Sequence, residues 1–327
     1  MVTFRRALVA ALILVPAALG AQTNEYFHQT YLRASHNWAF RNSFPSADRL
    51  FNAFDYGHAI LYETLWRQPA ANVASLDTDQ FGFITTELLV HPPRVMLDES
   101  AIGPEWAKLA PEALMMFEWA HMLHRQLYDV WADERIPVNK KDERVAEVVS
   151  YYKSRSALAF SSKPKDMELM EGQPYSLAFR KKFPKYNGLI WSYHWLQMTL
   201  YDALMSGNTQ KERHANVDQV VLAFRGMTLA PSTFPAVMPM SPAIAPLFSD
   251  RYPEAAAIFD NLHSLHDVVS DILANPVIRR DQKRETILRA AAHYRDDHTS
   301  VTSIGDWKTM SMEMGADKMG GKPSFKR

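Results

Sequence analysis

From residue 45 onward, apolar side chains recur at three- and four-residue intervals, the signature of one face of an α-helix. Pro45-Ser46-Ala47-Asp48 opens the first such stretch, and Leu50, Phe51, Phe54, His58, Leu61, Tyr62 and Leu65 share a side before Pro69, so a helix is expected over 45–67. A second is expected over 79–90, stopped by Pro92-Pro93. A third spans 111–134, where Pro111 suits the first turn and Leu114, Phe117, Glu118, His121, Arg125 and Tyr128 fall at helical spacing. Residues 141–160 are amphipathic, with acids early and Lys153 and Arg155 late, matching the helix dipole. A polar linker, 161–174, follows.

Residues 186–201 contain no charged side chain. Sixteen residues are too few to cross a bilayer, which takes about 20. A helix apolar all round belongs at the centre of a protein. Further helices are expected over 211–226, 253–274 and 280–297. Six prolines between Pro231 and Pro253 exclude regular helix or central strand there, so this stretch is expected to be an extended segment. No run of alternating β-branched residues and no repeat of fixed period is evident. The fold class is therefore all-α: a bundle of about eight helices around a central buried helix 186–201, with residues 22–304 as a single helical domain.

The N-terminus reads as an address. Arg5 and Arg6 precede an apolar run from Ala7 to Ala21, interrupted by Pro16 and ending in Ala18-Leu19-Gly20-Ala21. This pattern predicts a secretory signal over 1–21, cleaved near Gly20-Ala21, and a periplasmic or secreted protein without a lipid anchor. Cleavage deletes two arginines and no acid, leaving 34 basic against 36 acidic residues, a net charge of −2. With no dominant basic block, nucleic acid is not an expected partner. At the other end, residues 305–327, with four glycines and four methionines, are expected to be a disordered tail.

The chain has no cysteine. That excludes disulfides, thiolate metal sites, iron–sulfur clusters, a catalytic thiol and covalent haem. No G-x-G-x-x-G, Walker A or G-x-S-x-G motif occurs. The informative pattern is a carboxylate three residues before a histidine, which helix geometry places on one face. It occurs at Glu25–His28, Asp55–His58, Glu118–His121 and Asp260–His263, where chance gives about 1.3 such pairs from 12 histidines and 36 acids. His124 follows the third pair, His266 the fourth, and the uncharged helix adds His194. Acidic and imidazole groups projecting inward from four helices resemble the ferritin-like di-metal carboxylate layout. Two departures stand out: two of the pairs use Asp, and the central helix offers only His194. The resemblance implies iron or another divalent transition metal held by His58, Glu63, Glu118, His121, His194, Asp260 and His263, for oxidoreductase or metal-handling chemistry.

Two other functions fit parts of the sequence. One is a non-catalytic extrinsic subunit of a periplasmic-side respiratory or photosynthetic complex, docking its membrane-complex partner through the apolar residues of 231–253. The other is an all-α polysaccharide lyase, in which Tyr193 and His194 would abstract a proton and Trp191 and Trp195 would stack on sugar. Met310-Ser-Met312-Glu-Met314 adds a short Met-x-Met spacing suited to Cu(I).

Overall fold

The computed structural model describes residues 30–68 and 75–315. Among these are sixteen α-helices, two π-helical segments, one 3-10 turn and no strand. No described helix is long and apolar enough to cross a membrane. The signal read over 1–21 and the Glu25–His28 pair lie outside the described residues.

The helices fall into two similar sets. The first comprises α1 (Ala39–Ser43), α2 (Pro45–Arg67), α4 (Glu99–Ile102), α5 (Pro104–Leu109), α6 (Pro111–Ala132) and α7 (Val138–Lys153). The second comprises α9 (Ala178–Lys182), α10 (Pro184–Met205), α12 (Ser241–Ile244), α13 (Pro246–Arg251), α14 (Pro253–Ala274) and α15 (Arg280–Arg295). Start positions are offset by 139 residues for the first two helices of each set and by 142 for the other four. Between the sets lies α8 (Glu168–Glu171), within a segment tied to the C-terminal region by the bridge between Lys165 and Val301. The linker 161–174 is thus clamped to the body.

The two sets use the same physical devices. Each turns three corners in a single residue: Phe44, Gly103 and Ala110 in the first, Phe183, Ala245 and Tyr252 in the second, each followed by a proline at the first helical position. Proline pushes the residue before it out of the α region and is itself well suited to start a helix. Trp38 and Leu177, both left-handed, lead into α1 and α9. The freed N–H groups there are taken by buried carboxylates: Asp129 accepts from Trp38 and Phe40, Asp271 from Leu177 and Phe179, all at 2.7–2.9 Å. A buried lysine closes the C-terminal end of α6 and of α14. Lys141 Nζ donates to the carbonyls of Val130, Trp131 and Asp133, and Lys283 Nζ to those of Ile272, Leu273 and Asn275.

Helices α2, α6, α10 and α14 pack on one another and enclose the core. Every residue of α10 from Tyr186 to Leu204 is buried, as its uncharged stretch requires. Elsewhere the structure differs from expectation. The 79–90 stretch is a π-helical segment (Ser75–Gln80), α3 (Phe81–Phe83) and a second π-helical segment (Ile84–Leu88). The stretch expected over 141–160 ends at Lys153, and α11 (Gln210–Leu229) runs past the expected 226. The proline-rich 231–253 stretch is not extended throughout. Four of its six prolines stand in the first turn of a helix, Pro231 in a 3-10 turn (Pro231–Thr233), Pro242 in α12, Pro246 in α13 and Pro253 in α14, while Pro235 and Pro239 lie in the non-helical run 234–240. Its apolar side chains serve the molecule's own core: Met238, Met240, Ile244 and Phe248 are buried, and Phe234 sits so close to α10 that a Cβ on Gly188 would lie 2.8 Å from it.

The expected disordered tail begins instead with an ordered helix, α16 (Ile304–Glu313). Ser303 caps it, and its Trp307 is fully buried with Nε1 donating to Asp260 Oδ2 at 2.8 Å. Met312 lies about 200° around the axis from Met310, while Met310 and Met314, four positions apart, share the side packed against the core. Residues 316–327 lie outside the described residues.

Candidate metal centre

Four helices carry six histidines into the middle of the bundle. His58 comes from α2, His121 and His124 from α6, His194 from α10, and His263 and His266 from α14; none is more than 2% exposed. The H-x-x-H spacing of α6 and α14 sets both rings of each pair on one inward face. The two pairs occupy equivalent positions in the two sets of helices.

Two groups of ligand atoms converge there. His58, His194 and His266 each offer a ring nitrogen, all within 4.8 Å of one another. Asp55, Glu99 and His121 offer a second set within the same limit. Tetrahedral coordination with bonds of ~2.0–2.1 Å places imidazole nitrogens about 3.4 Å apart, so the first set would need to close by little more than an ångström. Ring contacts tie the groups together: His58 to His266 at 4.3 Å between centroids, His194 to His263 at 4.1 Å, and His121 to His266 at 5.4 Å. Phe54 packs edge-on to His58, His121 and His194.

The protein itself leaves much of this centre without partners. Both ring nitrogens of His58 and His194, Nε2 of His121 and His124, and Nδ1 of His263 and His266 make no hydrogen bond of normal geometry. Native interiors seldom tolerate this, because each buried polar atom without a partner costs about 1–3 kcal/mol. The partners that do exist are few. His124 Nδ1 meets Tyr201 Oη at 2.9 Å, and His263 Nε2 meets Gln197 Oε1 at 3.1 Å.

Burial sets the charge states. It pulls the pKa of His58 and His263 down to about 3, with Phe54's backbone partly opposing this at His58. It pulls His121, His124, His194 and His266 well below the usual imidazole value, and neighbouring histidines add to the effect. All six are neutral at pH 7, the form that ligates a metal. Burial raises Glu99 well above the carboxylate range, and the nearby Glu118 and Asp55 push it further. Burial also raises Asp55 to about 6, although Arg125 opposes this by donating to its Oδ2 from Nη2 at 2.7 Å.

The seven residues picked from the sequence divide. His58 and His194 meet in the histidine group, and His121 in the carboxylate group. His263 stacks on His194 beside the first group. Glu118 is buried on α6 but belongs to neither group. Glu63 turns away to cap α5, its Oε2 accepting from the Glu105 and Trp106 N–H groups at 3.0 Å. Asp260 accepts from the Ser241 N–H and hydroxyl and from Trp307. A carboxylate beside a histidine on a helix can serve either neighbour, and in these two the short helices claimed it. Asp55, Glu99 and His266 complete the two groups. The Asp55–His58 pair and the His263-x-x-His266 spacing were visible signals for two of them. Glu99 sits on a four-residue helix with no periodic context to mark it.

Tyr193, Trp191 and Trp195 are buried within α10, at 0–1% exposure, and offer no face for a sugar chain. Comparisons with protein-family models, curated proteins and solved structures found no match.

Proposed function

We propose that this is an exported metal-binding helical bundle whose ion lies among His58, His194 and His266 and serves oxidoreductase or metal-handling chemistry. One observation carries the reading: three neutral imidazoles from three different helices converge within 4.8 Å, and neither ring nitrogen of His58 or His194 makes a hydrogen bond of normal geometry. A cation would use those lone pairs. Three imidazoles suit Zn, Cu, Fe or Ni, in keeping with iron or another divalent transition metal. Export would follow from the charged and apolar pattern of residues 1–21.

The apolar residues that suggested docking of 231–253 on a membrane complex are mostly buried in the molecule's own core, which favours the metal reading over the scaffold. Elemental analysis of purified protein is the test, paired with the His194→Leu variant, which keeps the volume and removes a ligand. At least one equivalent of transition metal per chain, reduced in the variant, is expected. Trace metal that the substitution leaves unchanged would overturn the proposal. N-terminal sequencing of the exported protein should begin near residue 22.

A further inference from the structure

We propose that Asp55, Glu99 and His121 form a second cation site, chemically distinct from the histidine triad, so that the core holds two metal ions. The inference deepens the reading above and rests on it for the neighbouring ion.

Glu99 carries the argument. It is 2% exposed, neither carboxylate oxygen has a hydrogen-bond partner, and it stands with Asp55 and His121 in one group of ligand atoms. Its equivalent in the second set of helices, Ser241, does architectural work, donating its hydroxyl to Asp260 at 2.6 Å. Glu99 does no such work, since α4 is capped by Asp98 instead, which accepts from the Ser100 N–H. A buried carboxylate kept without structural use is costly, and a cation returns the missing interaction.

Asp55 is already oriented for it. Arg125 holds Oδ2, while Oδ1 makes no hydrogen bond and faces His121 Nδ1 at 3.4 Å. Arg125 thus fixes one oxygen and leaves the other for the ion. Two carboxylates and one imidazole favour a harder divalent cation, such as Mn²⁺ or Fe²⁺, than three imidazoles do. The second set of helices cannot build the same site, because His194, Ser241 and His263 stand where Asp55, Glu99 and His121 do in the first.

Metal-free full-length protein would be titrated with Co²⁺, with bound ion counted by equilibrium dialysis and coordination followed by visible absorption. The expected result is two equivalents for the parent protein, with distinct spectra. Glu99→Gln, close to isosteric, should retain one equivalent with the histidine-site spectrum, and His194→Leu should retain the other. A single equivalent lost in Glu99→Gln but kept in His194→Leu would support this site and contradict the histidine triad. A single equivalent that Glu99→Gln leaves intact, or none at all, would overturn the inference. Should Glu99→Gln fail to fold by circular dichroism, the equivalents bound by His194→Leu decide the matter, one supporting the site and none overturning it.

Discussion

His194 and His263 lie ring on ring, centroids 4.1 Å apart and planes within 10° of parallel. Both are buried and neutral, and Nδ1 of each has no hydrogen-bond partner. Such an arrangement costs stability in the metal-free state. Replacing a buried unsatisfied polar group by an apolar one of similar shape is often neutral or better. His194→Leu should therefore leave the metal-free protein as stable as the parent, or up to ~1–2 kcal/mol more so. The same variant should lose the part of the metal-dependent stabilisation that the histidine group supplies. Urea denaturation with and without metal checks both halves; a large loss of metal-free stability would mark His194 as structural.

Metal should also stabilise the fold by mass action. A ligand at 100 times its Kd adds about 2.7 kcal/mol to a native state that alone binds it. Chelation should lower the thermal midpoint by several degrees in the parent and by less in His194→Leu, which keeps only the Asp55, Glu99 and His121 group. Differential scanning calorimetry, with chelator or metal in the buffer, reads this directly.

Lys141 and Lys283 close equivalent helix ends with three carbonyl bonds each. Substituting either with methionine leaves those carbonyls without their buried donor, at a cost of about 2–3 kcal/mol. The two share no bonding partner, so the losses should add in the double variant. Equal losses at both sites, measured by urea titration, would establish that the repeated architecture is repeated in energy.

Little of that repeat could be read from the sequence. What recurs is backbone work: proline corners, capping carboxylates and the terminal lysine. The offset changes from 139 to 142 residues partway through, and residues at the centre have diverged: Asp55 stands opposite His194, His58 opposite Gln197, Glu99 opposite Ser241. A fixed-period search finds nothing under those conditions. The long helices were legible because their apolar faces repeat over five or six turns, and α10 because it has no charge over sixteen residues. Half of the centre was legible as well, since the Asp55–His58 and Glu118–His121 pairs and His194 point at the right helices. Glu63 and Asp260 misled because proline-started short helices need caps, and a nearby buried carboxylate supplies them.

Trp307 joins α16 to the body through a buried ring and a bond to Asp260. Trp307→Ala should cost about 3–5 kcal/mol, the range for a large buried aromatic. Trp307→Phe should cost about 1–2 kcal/mol, since it keeps most of the packing and loses the hydrogen bond. A chain ending at residue 303 should be destabilised at least as much as Trp307→Ala. Chemical denaturation of the three proteins measures the order.

Stability of the metal-free protein should have an unusual pH profile. Burial lowers the six core histidines, so below 6.5 the unfolded chain binds protons that the folded protein refuses until about 3 for His58 and His263. These groups lose stability as pH falls through that window. Burial raises six carboxylates: Asp267 to about 8, Asp129 and Asp260 to about 7, Asp55 and Asp271 to about 6, and Glu99 well above its usual value. The folded protein protonates these first, so they gain stability as pH falls through their folded values. The net expectation is a rise from pH 8 to about 6.5, a plateau to about 4, and then collapse. Below that point the unfolded chain protonates its own carboxylates, so the histidine imbalance is no longer offset and acts at ~1.4 kcal/mol per proton per pH unit, joined by carboxylates such as Asp133 and Asp142 that hydrogen bonds to arginine hold low. Urea midpoints across this range provide the check; steady loss beginning at pH 6.5 would contradict it.

The central claim is that a metal ion lies among three imidazoles. Anomalous diffraction at the absorption edge of the bound metal, from crystals of the metal-loaded protein, tests it most directly. The account predicts a peak about 2.0–2.2 Å from one nitrogen each of His58, His194 and His266. Metal elsewhere on the molecule with none among these three imidazoles, or a core with ordered water and no anomalous signal, would contradict it.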